Sequence, residues 1–301
     1  MIFSEQDTLP NGVTIPRLAL GTWFLPDQQA AEAVKTALSI GYRHIDTAQA
    51  YGNEAGVGEG IRRSGIPREE IFVTSKVAAE HKSYATAAQS IHQTLTTMGL
   101  DYVDIFYHHR MDPNTPLEET MGALAQAVRS GKALYVGLSN YDGPTLEKAA
   151  AILDELHVPF VINQNRYSIF DRTVENNGLK ETAAKLHKGI ITFSPLAQGL
   201  LTNRYLDGIP ADSRVHTDGR FLKEKDITPE KIAKIRALNE IAAARGQTLA
   251  EMALAWLLSH EEITTVLIGA SKTQQILDNI KAVQNMKFTT EELAEIDRIS
   301  K

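Results

Sequence analysis

The chain has 301 residues and a formal net charge of −6, with 43% apolar and 23% charged residues, an ordinary composition for a folded protein with a sizeable core. It contains no cysteine, which excludes disulfides, thiolate metal sites and cysteine nucleophiles. The acidic balance argues against a general nucleic-acid binder, which needs clustered Lys and Arg, but leaves room for one bound nucleotide.

Met1 to Leu9 carries acidic and polar residues where a secretory signal needs a basic start and an apolar core. No apolar run approaches the roughly 18 residues of a membrane span, so the expectation is a cytoplasmic protein. Leu9-Pro10-Asn11-Gly12-Val13 sets an Asn-Gly pair between apolar residues, a hairpin signal. Beyond it, β-rich apolar runs alternate with helical spacing to the end of the chain, the pattern of parallel βαβ units. The expected strands are Arg17 to Gly21, His44 to Asp46, Ile71 to Lys76, Val103 to His108, Leu134 to Leu138, Phe160 to Gln164, Ile190 to Phe193 and Thr265 to Ile268.

Helical spacing is clear over Ala30 to Ile40, Leu117 to Val128, Pro229 to Arg245 and Leu249 to Leu258. Eight strands with crossover helices predict one (β/α)8 TIM barrel occupying residues 1–301 as a single domain, with the hairpin plugging its floor. The connection Leu201 to Thr228, after the seventh strand, far exceeds the roughly 4–6 residues usual between elements, so a functional role is expected. It carries Arg204, Arg214, Arg220 and Lys223.

Barrel active sites lie where the strands end at the C-terminal face. Asp46, Lys76, His109, Ser139, Asn140 and Gln164 all end or follow strands and are therefore expected to converge. An ammonium beside Tyr51 favours the phenolate and brings the phenol nearer working pH as a general acid. Asp46 would keep Lys76 charged and oriented, while a histidine hydrogen-bonds the substrate oxygen. Strand alternation sends His108 and His109 to opposite faces without choosing between them. Taken singly, Lys76 reaching solvent, Tyr51 as a loop aromatic and Asp46 as a cap are at least as common; four together on one face tilt the balance.

Gly56-Val57-Gly58-Glu59-Gly60 lacks the third glycine of a dinucleotide loop at the required spacing and lies in a helical pattern. No phosphate loop, no Tyr followed by Lys four positions on, and no metal-ligand spacing of histidines occurs. Lys76 as a Schiff-base lyase nucleophile is an alternative, opposed by Asp46, which keeps the amine protonated.

Gly41-Tyr42-Arg43-His44-Ile45-Asp46-Thr47-Ala48-Gln49-Ala50-Tyr51-Gly52-Asn53-Glu54 and Ile71-Phe72-Val73-Thr74-Ser75-Lys76 resemble the signature and lysine strand of the aldo-keto reductases, a likeness extending over essentially the whole chain. The resemblance implies an NADP-dependent carbonyl reductase with Asp46, Tyr51, Lys76 and His109 as its catalytic tetrad. His109 is selected because the family histidine lies five positions after the strand aspartate, here Asp104. By the same resemblance Thr22 and Trp23 follow the first strand at the cofactor, Ser139, Asn140 and Gln164 bind a carboxamide, and Phe193 stacks on nicotinamide. Ser194, Pro195, Leu196, Ala197, Gln198 and Gly199, with Arg204 and Arg214, correspond to the pyrophosphate segment. Gly269, Ser271, Lys272, Gln275, Asp278 and Asn279 correspond to the adenosine site, whose helix N-terminus suits a phosphate; Ser271 and Lys272 favour NADPH over NADH.

Trp23, Phe24, Val77 and Arg110 are expected to wall the substrate pocket, Arg110 as a partner for phosphorylated or carboxylated substrates. Phe193 stands where the family usually has Tyr or Trp, Arg204 replaces a lysine, and Asp278 replaces a glutamate. Residues to about 100 resemble diketogluconate and small-aldehyde reductases, and later segments resemble glyceraldehyde-phosphate reductases and potassium-channel β-subunits. This change of likeness raises two expectations: a recombined or designed chain, and a nucleotide-binding regulatory subunit as a rival to the enzyme.

Overall fold

A computed structural model describes residues 6–9, 11–78, 83–270 and 272–301. The chain opens with an antiparallel pair, β1 (Gln6–Thr8) and β2 (Thr14–Pro16). Gly12 lies in its turn at φ 83° and donates its N–H to Leu9 O at 2.8 Å, while Leu9 N reaches Val13 O at 2.8 Å. The turn is longer than a two-residue Asn-Gly hairpin, since Thr8 pairs with Thr14. Leu9 and Ile15 are buried in one cluster with the inward barrel residues Ala19, Ile105, Tyr107 and Ile191, as expected of a plug.

Eight parallel strands then close a barrel: β3 (Leu18–Gly21), β4 (His44–Asp46), β5 (Phe72–Val77), β6 (Val103–His108), β7 (Ala133–Ser139), β8 (Phe160–Arg166), β9 (Gly189–Phe193) and β10 (Ile263–Gly269), with β10 paired to β3. Each expected strand is present. Between them run α1 (Asp27–Ile40), α2 (Glu54–Ser64), α3 (Tyr84–Met98), α4 (Leu117–Arg129), α5 (Gly143–Glu155), α6 (Thr173–Asn176) and α7 (Leu179–Lys185). After β9 come α8 (Arg214–Thr217), α9 (Pro229–Ala244) and α10 (Leu249–Leu258), and after β10 α11 (Thr273–Asn279) and α12 (Thr290–Ser300).

Side chains alternate along each strand, so one set fills the barrel and the other meets the helices. Leu18, Leu20, Ile45, Val73, Val77, Val136 and Leu138 join the outer core with residues of the helices. Inside, Gly137 makes room for Tyr107: a Cβ there would lie 2.3 Å from the tyrosine ring. The glycines of α2 serve packing and no dinucleotide loop. A Cβ at Gly56 would lie 2.1 Å from Asp27 O, and one at Gly58 would lie 1.9 Å from Met98 O, so the backbones of α1 and α3 approach α2 directly.

Thr248 and Glu251 form a reciprocal capping box that starts α10, and Thr289 with Glu292 does the same for α12, each satisfying two otherwise unpaired N–H groups. Among the described residues, no helix is long and apolar enough to cross a membrane, and no cluster of His, Asp and Glu is suited to a metal ion.

Candidate active site

Asp46 ends β4 and Lys76 sits one residue before the end of β5; the pairing of Asp46 with Thr74 places both pointing into the barrel. Lys76 is wholly buried. Its Nζ donates to Asp46 Oδ2 at 2.6 Å, to Thr47 O at 2.8 Å and to the Tyr51 hydroxyl at 3.4 Å. The other Asp46 oxygen accepts from Thr74 Oγ1 at 2.7 Å and Gln164 Nε2 at 3.0 Å, so the buried carboxylate is paired on both sides.

Tyr51 arrives on a short turn, Gln49–Tyr51, closed by Gly52 at φ 66°. Gln49 anchors that turn, donating to Ser90 O at 2.8 Å and accepting from Ala78 N at 3.0 Å. The His109 ring meets the Tyr51 ring edge-on with centroids 6.0 Å apart. His108, one residue earlier, is buried with its Nδ1 2.7 Å from the Tyr141 hydroxyl, so His109 is the histidine that lines the cleft.

Electrostatics in this corner differ from the simple expectation for Tyr51. Burial raises its phenol above the ordinary value; the Lys76 ammonium pulls it back only in part, and the Asp46 carboxylate adds to the rise. Burial works against the Lys76 ammonium, but Asp46 and Tyr51 together overcome it and hold the amine above its usual range. A protonated, sealed amine is a poor Schiff-base nucleophile. Burial and the neighbouring Lys76 charge push His109 down to about 4, leaving a neutral imidazole.

Above these residues opens a cleft of about 930 Å³. Trp23, Ser139, Asn140, Gln164, Phe193, Ser194, Pro195, Leu196, Gln198, Gly199, Arg204, Arg214, Gly269, Lys272 and Gln275 line it, as does Arg110. Five residues around this mouth hold positive φ without being glycine: Phe24 at 67°, Asn140 at 61°, Ser194 at 54°, Ala197 at 48° and Gln198 at 61°. Such conformations cost about 1–3 kcal/mol each and persist where surrounding structure imposes them.

Other expected residues fall elsewhere. Val77 is completely buried in the outer core: Lys76 points inward, so its neighbour on the strand must point out. Thr22 is buried, and both its N–H and its hydroxyl donate to Asp46 O at 3.1 Å, which makes it a brace under the site. Phe24 stands behind Trp23, with ring centroids 4.3 Å apart, outside the cleft lining. Ala197 turns away from the lining while its N–H closes a turn onto Ser194 O at 3.0 Å. Asp278 pairs with Lys281 at 2.8 Å and Asn279 is buried, so the cleft wall ends at Gln275. Ser271 lies outside the described residues.

The long connection after β9 also contributes residues that strand-end reasoning missed. Phe221 lines the cleft and meets Trp23 edge-on at 4.9 Å. Asp212 lies 2.6 Å from Arg204 and 3.8 Å from Lys272, linking the connection to the segment after β10. Arg214 donates to Gln198, and its guanidinium stands 5.2 Å from the Phe24 ring centroid. The only sequence signal for these contacts was the connection's length and its arginines.

Comparison with known proteins identifies the family. The Aldo/keto reductase family matches residues 17–301. The chain is 42% identical to an L-glyceraldehyde 3-phosphate reductase of Escherichia coli O157:H7, over 96% of this chain and 90% of that one. It is 32% identical to a potassium channel subunit β-like protein of Schizosaccharomyces pombe, over 96% and 91% of the two chains. A thermostable aldo-keto reductase solved with the inhibitor epalrestat superposes with a TM-score of 0.80 at 32% identity, over 98% and 99% of the chains. The expected recombination finds no support, because likeness to one reductase runs through 96% of the sequence. The chain belongs to the aldo/keto reductase family and is an oxidoreductase acting on carbonyl groups.

Proposed function

We propose that this chain, acting as a single barrel domain, reduces the carbonyl of a small aldehyde to an alcohol, with hydride from NADPH and a proton from Tyr51. The observation that carries the reading is the Lys76 ammonium, sealed against Asp46 and reaching the Tyr51 hydroxyl at 3.4 Å. The cleft's donor set suits the cofactor. Ser139, Asn140 and Gln164 offer hydroxyl and amide groups in the same cleft as the Phe193 ring, while Arg204, Arg214 and Lys272 bring positive charge for phosphates. Lys272 in particular suits a 2′-phosphate. NADPH bound there supplies the hydride, which no side chain can provide.

Tyr51 is protonated at neutral pH as an ordinary phenol is, and burial raises it further, so it holds its proton until negative charge develops on the substrate oxygen. The Lys76 ammonium then stabilises the phenolate left behind. His109, neutral with its value near 4, has a ring N–H to orient that oxygen. Asp46 keeps Lys76 charged and in place.

A phosphorylated small aldehyde is the substrate class we favour. The Arg110 guanidinium lies exposed at the cleft beside His109, with no hydrogen bond or ion pair to any described residue, and a 42% identical relative is named for glyceraldehyde 3-phosphate. The test compares NADPH oxidation with glyceraldehyde 3-phosphate and with glyceraldehyde, using wild-type protein and Arg110→Gln. The expected outcome is a KM for the phosphorylated aldehyde that rises about tenfold in the variant while the neutral aldehyde is unaffected, in line with a charge-assisted hydrogen bond. Equal effects on both would remove the anion from the proposal; no turnover with any carbonyl would instead favour a nucleotide-binding regulatory subunit.

A further inference from the structure

Asn53 lies two positions after Tyr51, is 1% exposed, and is not needed for the chemistry above. It occupies the N-cap position of α2, yet its side chain does not cap that helix. The Asp27 carboxylate serves the helix instead, accepting from Gly56 N at 2.8 Å. The asparagine amide is thus free for another task. Its Nδ2 donates to Thr22 O and to Leu25 O, each at 2.8 Å, and its Oδ1 accepts from Thr47 Oγ1 at 2.8 Å.

The two carbonyls held by Nδ2 bracket Trp23 and Phe24. Leu25 N also returns to Thr22 O at 3.1 Å, so these four residues form a tight turn with Phe24 at φ 67° in its third position. That position normally takes glycine or asparagine, and a phenylalanine there costs about 1–2 kcal/mol. Something must hold the turn, and the Asn53 amide grips both of its ends. The turn presents Trp23 to the cleft, stacked on Tyr51 with centroids 6.1 Å apart. On its other side Asn53 is tied to Thr47, whose carbonyl receives the Lys76 ammonium.

We propose that Asn53 is a positioning residue that sets the Trp23 wall against Tyr51 and so governs how tightly the carbonyl substrate is held; the part about substrate rests on the reductase reading. An amide is required, because only it donates twice and accepts once in this arrangement. Aspartate has the same shape and still accepts from Thr47, but it turns a carboxylate oxygen towards two carbonyls.

The chain has two tryptophans, and the other, Trp256, is 1% exposed. Acrylamide quenching of tryptophan fluorescence therefore reports mainly on Trp23, with or without turnover. In Asn53→Asp the expected result is stronger quenching, together with a substrate KM raised roughly tenfold, equivalent to one or two net hydrogen bonds, and a smaller change in kcat. Thr47→Val removes only the bond that orients the amide and should shift quenching in the same direction by less, which covers the case in which Asn53→Asp does not fold. A folded variant of either kind with wild-type quenching and KM overturns the proposal. If no carbonyl is turned over but quenching still rises, the positioning role stands and the reductase reading fails.

Discussion

Lys76 Nζ and Asp46 Oδ2 meet at 2.6 Å, with the lysine side chain wholly excluded from solvent and the aspartate side chain 3% exposed. The charges are compensated by each other and by the hydrogen bonds of Thr47, Thr74, Tyr51 and Gln164. Breaking such a pair from one side leaves a buried charge and typically costs about 3–5 kcal/mol. Lys76→Met is expected to lose stability of this order in urea denaturation. Lys76→Met combined with Asp46→Leu should recover much of it; a double variant as unstable as the single one would mean that uncompensated charge is not the cause.

Replacement of Tyr51 by Phe keeps the ring that stacks on Trp23 and removes only the hydroxyl. Reduction should fall to background while NADPH affinity, measured by fluorescence titration, stays near wild type. Wild-type turnover in this variant would take the proton donor's role away from Tyr51.

Two histidines make stability depend on acidity. Burial pushes His44 from its ordinary 6.5 down to about 4, and burial with the Lys76 charge does the same to His109. Between those values the unfolded chain binds protons that the folded chain refuses, so stability rises with pH through this window and is lost as pH falls towards 4. For the fully buried His44 the loss by pH 5 is on the order of 2 kcal/mol, at about 1.36 kcal/mol per unit. Urea midpoints at pH 7.5 and pH 5 should converge in His44→Leu relative to wild type; an unchanged gap would acquit His44.

Alanine scanning of two helical glycines should give opposite signs. Gly58→Ala drives a methyl to 1.9 Å from Met98 O, and backbone must move, so a loss above about 2 kcal/mol is expected. At Gly122 the nearest atom to an added methyl is a Tyr84 ring carbon at 3.4 Å, an ordinary contact. Gly122→Ala should then gain up to about 1 kcal/mol from helix propensity. Thermal denaturation of the two variants distinguishes close backbone approach from simple helical cost.

The eight strands were readable because a barrel strand is a short apolar run bounded by turn residues, and Asp46 and Lys76 because polar groups ending such runs are rare enough to notice. With Lys76 directed inward, Val77 had to face the helices. Alternation left His108 and His109 open and the family resemblance pointed to His109; what the structure adds is where His108 goes, into a hydrogen bond with Tyr141, a residue 33 positions further on.

By itself the sequence determined the alternation of elements, the polar groups at the strand ends and the likeness to a family of reductases. Tertiary structure decided the balance of charge and burial at Tyr51, where desolvation outweighs the Lys76 ammonium. It also turned Thr22 into a brace and Asn53 into a clamp, and brought Asp212 to Lys272 and Phe221 against Trp23. The physical reason is range. Periodicity and turn chemistry act over a few residues, whereas a pKa or a buried amide's partners depend on groups the barrel brings together from distant parts of the chain.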